Sequence, residues 1–364
     1  MLKKVLIPAL ALALTLAWSP LASAQNKLNP TKEKPIVWKA QTLWGAAEIP
    51  QKSFEVLCEN IKQMSGGRLI VEPYAAGVIV PTNETLTALT NNILQVLHVW
   101  PGYGGGKEPA LIPISDLIYA YNTPLEGYMW YYKKGGEEIF KEIYAPFKAI
   151  PVGLMYWTSE SYPSRVPIRN KADFKGLKIR LPQGMENDLL TRLGATAIQF
   201  PGTEIFSALD KGVVDAANWS SLGVNESLGL HDIPGIAYAT YPGFHSMPIG
   251  DFTVNTDRWN ELPEDLQAIV RVACKAWGLD SWMDIHDADM AAVKKYSQPG
   301  SKIEIVSWTD ADRKDMFTEA YNTVWQDWKK KSPLAKKAIE SYEAYLKELG
   351  RLPITETSPA YTAY

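Results

Sequence analysis

The chain has 364 residues, 46% of them hydrophobic and 21% charged, with a formal net charge of −3. This is the make-up of a globular protein, and its Lys and Arg are scattered rather than massed in one stripe, which argues against nucleic acid as a partner. Only Cys58 and Cys274 offer sulfur chemistry, and both fall in apolar helical contexts, which reads as two buried free thiols rather than a disulfide.

Lys3 and Lys4 precede an apolar run from Val5 to Trp18, and Ala22-Ser23-Ala24 follows. The pattern predicts a secretory signal peptide over residues 1–24, too short in its apolar core to span a membrane, and hence an exported, periplasmic protein. The roughly 340 residues after it exceed one typical hydrophobic core, so two lobes are expected. Gln25 to Pro35 is polar and reads as a disordered lead-in. Strand Val37–Gln41, a helix from Pro50 to Met64 with Phe54, Leu57 and Ile61 at helical spacing, and strand Leu69–Glu72 make a βαβ unit. Val96 to Trp100 is a third strand, running into Pro101-Gly102-Tyr103-Gly104-Gly105-Gly106. Those glycines match neither GxGxxG nor GxxxxGK[ST], so Trp100 and Tyr103 are read as walls of a ligand cleft or as core aromatics, not as part of a phosphate loop. Helices are expected at Glu126–Lys133 and Glu137–Tyr144, then a strand at Val152–Trp157, after which 158–165 is the first crossing between lobes.

Leu177 to Leu181 alternates apolar with charged residues, as a half-buried strand does, and Pro182-Gln183-Gly184 stops it. Arg180 therefore stands at a strand's carboxyl end, where ligands of open α/β sheets gather. A helix with Leu189, Leu190 and Leu193 on one face follows, then a second helix from Thr203 to Gly212 and a strand from Val213 to Trp219. The chain returns to the first lobe near Tyr238–Asp251, which contains Phe244 and His245, and a helix from Pro263 to about Trp277 comes next. Thr309 to Arg351 is helical and divided by Pro333, with Phe317, Tyr321, Val324 and Trp328 as an aromatic stripe; the last residues, 358–364, read as a frayed end.

None of the four histidines sits in HExxH or beside a second His at metal spacing, and no GxSxG or CxxC is present. Arg180 with aromatics and amides around it is an inventory for recognition, because a guanidinium fork meets a carboxylate bidentately. For an arbitrary arginine a solvated charge on an exposed strand face is the commoner reading; if Arg180 instead anchors an acid, replacing it with Ala is expected to abolish acid binding and leave the fold intact.

RLPQG, PGTEIFSALDKGVVDAANW and MSGGRLIVEPYAAGVIVPTNETLTAL resemble the solute-binding proteins of tripartite ATP-independent periplasmic (TRAP) transporters, most closely the branch that takes 2-oxo and 2-hydroxy acids. The resemblance runs from about Val37 to Trp277. It implies an α/β, two-lobed periplasmic binding protein fold of type II-like form, with a hinge cleft and a long C-terminal helix. The expected divisions are 36–157 with 249–285 as lobe I, 158–248 as lobe II, and 286–364 as a C-terminal helical region that packs across the lobes or dimerises. It also implies Arg180 as carboxylate anchor, Trp219 and Asn218 beside it, and Trp44, Trp100, Tyr103, Trp157, Phe244 and His245 around the ligand. The implied partners are a small carboxylate, the membrane permease subunits and a second copy of the chain.

The branch commonly has a Glu before the matching Trp and a Gln or Glu after the matching His, holding sodium or calcium. Asn218 and Ser246 stand here instead. No cofactor is therefore expected, with Glu160 or Asp251 the residues that could restore an ion site. Asn218 is expected to donate directly to the ligand. A secreted hydrolase or lyase, or a sensing subunit acting on a carboxylate, is the alternative.

Overall fold

A computed structural model describes residues 27–244 and 247–355; the expected signal peptide, the frayed end and His245 lie outside the described residues. In chain order β1 (Ile36–Thr42), α1 (Ile49–Met64) and β2 (Leu69–Tyr74) form the expected βαβ unit, with β1 and β2 parallel from Ile36↔Leu69 to Gln41↔Tyr74. The apolar face of α1 buries Phe54, Leu57, Cys58 and Ile61, and the helix ends where Gly66 and Gly67 take positive φ (63° and 80°), a conformation glycine adopts without steric cost. β3 (Val96–His98), α2 (Pro124–Lys133) and β4 (Ala149–Tyr156) follow. The Thr123 side chain caps α2 by accepting from the Glu126 N–H.

The chain then lays down β5 (Tyr162–Ser164), β6 (Lys178–Arg180), β7 (Thr196–Ile198), β8 (Ala216–Ala217), α3 (Leu222–Ser227) and β9 (Tyr238–Thr240). It goes back through β10 (Ile249–Asn255) to the first sheet, and continues as α4 (Glu264–Tyr296), β11 (Glu304–Val306) and α5 (Pro333–Glu348). The five-stranded sheet has the order β2-β1-β3-β10-β4 and the six-stranded sheet β11-β9-β5-β8-β6-β7. Each sheet is mixed: β10 runs antiparallel to β3 and β4, and β5 antiparallel to β8 and β9.

Three expectations change. The lead-in is partly tied down, since the Leu28 N–H donates to Glu261 O at 2.9 Å and Lys27 Nζ to Leu262 O at 2.8 Å. The helix expected to stop near Trp277 runs on to Tyr296, so a division at 285/286 would fall inside it. It is long because its buried face changes neighbour midway: Leu266, Val270 and Trp277 serve the first lobe, whereas Asp289 and Ala292 lie on the second, beside α3. Gly278 does not break it; a Cβ there would lie 2.4 Å from the Tyr128 hydroxyl and 2.5 Å from Leu154 O, so the gap between helix and lobe I is closed by the missing side chain. Finally, Glu304–Val306, in the stretch expected to be helical, adds a strand parallel to β9.

The aromatic stripe of the tail is consumed by intramolecular packing. Phe317, Val324 and Trp328 are buried, Phe317 lies 5.6 Å from the Tyr119 ring, and Trp130 stacks on Tyr342 of α5 at 3.9 Å. Cys58 and Cys274 are free and buried, and burial raises both thiol pKa values, which leaves them unreactive. Among the described residues no helix is long and apolar enough to cross a membrane.

Candidate functional site

β6 and β8 are parallel and pair Arg180 with Ala217, so Arg180, Asn218 and Trp219 leave the second sheet together at its carboxyl edge. From the first sheet, β1 leads to Leu43 and Trp44, β3 to Trp100, and β4 to Trp157. These strand ends converge on a chamber of about 40 Å³ lined by Trp44, Trp100, Tyr103, Asp116, Trp157, Glu160, Arg180, Asn218 and Trp219. By the volume one water needs, that is room for about three waters. A larger groove of about 570 Å³ adjoins it, sharing Trp100, Tyr103, Arg180 and Trp219, with Phe200 and Gln199 farther out.

Arg180 is 3% exposed. Its Nε and Nη2 donate to Phe200 O at 3.2 and 3.1 Å, and Nη1 donates to Asn218 O at 2.6 Å. A guanidinium has five N–H groups. Those three bonds leave one on each terminal nitrogen, and a carboxylate that takes this pair in a fork displaces the Tyr103 hydroxyl, which hydrogen-bonds to the same group. The Trp219 and Phe200 rings lie 5.8 and 6.0 Å from the guanidinium carbon. Burial lowers the pKa of Arg180, while Tyr103, Glu160 and Glu186 oppose the shift. Because Arg180 holds two backbone segments, its replacement by Ala would strip partners from Phe200 O and Asn218 O, which adds a stability cost to the loss of the anchor.

Asn218 is turned away from the ligand position. Its Nδ2 donates to a Glu160 carboxylate oxygen, to Glu186 Oε2 at 2.9 Å, and to the Tyr162 hydroxyl at 3.3 Å, and the Tyr162 hydroxyl donates in turn to Glu186. Two carboxylates are strong acceptors, so they draw the amide N–H groups that were expected to meet the ligand. The same geometry bears on a cation: what lies between Glu160 and Glu186 is an amide donor rather than an acceptor, and among the described residues no group of three or more His, Cys, Asp or Glu could hold a metal ion.

The aromatic wall crosses both lobes. Trp44 packs edge-on against Trp157 at 5.1 Å and Trp219 at 5.7 Å. Trp219 Nε1 donates to Glu48 Oε2 at 3.3 Å, and Glu48 also accepts from the Gly45 N–H at 2.7 Å; burial nonetheless raises the Glu48 pKa. Two glycines make room for the rings, since a Cβ on Gly202 would lie 1.9 Å from Trp219 and one on Gly102 would lie 2.2 Å from Trp100.

Seven of the expected residues thus meet in one chamber. Phe244 does not: it is fully buried in the second lobe, stacked on Tyr162 at 5.3 Å and packed against Phe174 and Trp308. His245 is not among the described residues. Asp116, Glu48 and Glu186 went unread as site residues; Asp116 and Glu48 are each an acid in an apolar stretch, a signal that could have drawn attention to them, whereas Glu186 stands beside Asn187 and Asp188 and carries no such signal.

The bacterial extracellular solute-binding protein, family 7, matches residues 40–331. The monocarboxylate 2-oxoacid-binding periplasmic protein of Nostoc sp. is 30% identical over 80% of this chain and 83% of its own length. An apo, open TRAP periplasmic solute binding protein from Rhodobacter sphaeroides superposes with a TM-score of 0.71 at 28% identity, over 86% of this chain and 98% of that one. One from Pseudoalteromonas atlantica, with bound sodium and pyruvate, reaches 0.77 at 24% identity, over 87% and 95%.

Proposed function

The chain belongs to bacterial extracellular solute-binding protein family 7 and is a TRAP transporter solute receptor; from that premise we propose that it captures a small organic acid in the interlobe chamber, with Arg180 as the anchor. The observation that carries this reading is the buried guanidinium with two N–H groups not committed to backbone oxygens, one on each terminal nitrogen. A charge-assisted bond to such a group contributes about 1.5–3 kcal/mol net. Trp219 and Trp44 wall the remainder, and the adjoining groove accommodates an acid whose body outgrows the inner chamber. The complex forms in the periplasm and hands the acid to the membrane permease, without turnover.

Beyond Arg180 the chamber presents the carboxylates of Asp116 and Glu160 and the buried indole N–H groups of Trp44 and Trp157, which have no hydrogen-bond partner among the described residues. A carboxylate has about four lone-pair sites, so bonds already made leave capacity for more. A hydroxyl beside the ligand's carboxylate meets both kinds, donating to a carboxylate and accepting from an indole. A 2-hydroxy acid therefore fits better than a 2-oxo acid, and no bridging ion is needed. Titration calorimetry with lactate, alanine and pyruvate, each with calcium and with EDTA, tests this. Tight binding of a donor-bearing acid in EDTA is expected. Binding of pyruvate alone, and only with calcium, would instead place this chain with the ion-bridged relatives.

A further inference from the structure

Glu48 stands at the N-cap of α1, and its side chain folds back on its own turn. Its backbone N–H donates to Gly45 O at 3.0 Å, and the Gly45 N–H donates to its Oε1 at 2.7 Å. The glycine leaves room for this, since a Cβ there would lie 2.9 Å from Oε1. The N-terminal end of the helix dipole also favours a carboxylate at this position. With Oε1 pinned, Oε2 reaches the second lobe and accepts from Trp219 Nε1 at 3.3 Å. The pair thus spans the cleft, and Glu48 is buried in it.

The Trp219 ring is a partition between two spaces. On one side is the acid chamber of about 40 Å³; on the other is a pocket of about 140 Å³ lined by Leu43, Ile205, Phe206, Leu228 and Leu230, with Glu48 its one charged lining residue. Leu43 and Trp219 are the residues common to both linings, so these two side chains divide them. Arg180 and Trp44, at 5.8 and 5.7 Å, meet the ring from the chamber, since neither lines the pocket. By the volume one water needs, the pocket has room for about ten waters. A ring bordering such a space lacks packing partners on that side. Its indole N–H, a donor only, is the polar atom through which it can be held.

We propose that Glu48 is a positioning residue: it fixes the Trp219 ring across the cleft and so sets how large a group fits beside the acid's carboxylate. The inference rests on the reading of the chamber as the acid's seat. With the tie made, the chamber stays small and the ring lies against the acid. Without it, the ring swings into the pocket, and the two spaces join into one several times the chamber's volume. Both carboxylate oxygens are in use, one on the turn and one on the indole. Glutamine cannot replace them, because it has one acceptor oxygen and its NH₂ would face the N–H of Gly45 or of Trp219.

Glu48→Gln keeps the side-chain volume and is the principal test. Without ligand, hydrogen exchange of the Trp219 indole N–H, its NMR resonance identified by its loss in Trp219→Phe, should be at least about tenfold faster in the variant. Calorimetric titration should show lactate weakened about tenfold, and 2-hydroxyisocaproate, whose branched body fills the vacated space, weakened less than about threefold. A residue that merely supported the fold would weaken both acids alike. Once Trp219→Phe has removed the N–H, Glu48→Gln should cost nothing further in a double-mutant cycle. Unchanged indole exchange, equal weakening of the two acids, or additive effects in the cycle overturns the proposal. Should neither acid bind the wild type, the reading of the chamber as an acid's seat fails, and the indole exchange alone upholds or overturns the placement of Glu48.

Discussion

Arg180→Lys is the sharpest perturbation of the anchor. Lysine keeps the charge but replaces five coplanar N–H groups with three on one nitrogen. In the wild type, three N–H groups are directed to Phe200 O and Asn218 O, and the ligand takes the other two by displacing the Tyr103 hydroxyl. An ammonium cannot serve both backbone oxygens and both carboxylate oxygens, so at least one charge-assisted bond is lost. At about 1.5–3 kcal/mol that weakens binding roughly ten- to a hundredfold. Arg180→Ala loses both ligand bonds, about 3–6 kcal/mol or some 10² to 10⁴-fold, and leaves two buried carbonyls without donors at about 1–3 kcal/mol each. The Ala variant should therefore also melt several degrees lower, whereas the Lys variant retains most of its stability. Calorimetric titration with whichever acid the wild type binds, paired with thermal melts, separates the two effects. Binding by Arg180→Lys within about threefold of wild type would refute the fork as the source of affinity.

Gly202→Ala should drive the Trp219 ring from its place, because the new Cβ would fall 1.9 Å from the ring; an affinity loss of about tenfold is expected by titration, with little change in melting. Asp289 on α4 gathers the Gly223 N–H at 2.7 Å, the Thr158 hydroxyl at 2.5 Å and the Tyr241 hydroxyl at 3.3 Å, so it ties both crossings to the long helix. Asp289→Ala is expected to cost about 3 kcal/mol in urea melts and to loosen lobe closure, seen as a larger radius of gyration without ligand. Stability should also fall in acid. Burial holds His98 and His231 at about 4, so the unfolded chain takes their protons first as pH drops from about 6.5 to 4, a loss of about 3 kcal/mol each. Asp251, pushed up to about 6 by burial, works the other way: the folded chain takes its proton first between about 6 and 4, regaining about 3 kcal/mol. His231→Gln should flatten the acid limb of stability against pH and Asp251→Asn should steepen it; no change in either slope would show that these groups are not the ones titrating.

Local pattern reached far along this chain. The helix of α1 could be read because Phe54, Leu57 and Ile61 repeat at its period and two glycines end it, and Arg180 could be placed at a strand end because alternation and Pro182 marked it. The extent of α4 could not, since its continuation past Trp277 depends on a second lobe arriving under Asp289 and Ala292. β11 was equally invisible: three residues form a strand there only because β9 offers an edge.

What the amino-acid order determined by itself was the family, the strand-end position of the guanidinium and the aromatic character of its surroundings, all of which rest on spacing and residue type. Which way Asn218 turns, that Phe244 fills the second lobe's interior, that Glu48 meets Trp219 and that Glu160 and Glu186 act on Arg180 were decided by the tertiary structure. Hydrogen bonds and charges act across a few ångströms of space, and these partners lie up to 171 residues apart along the chain.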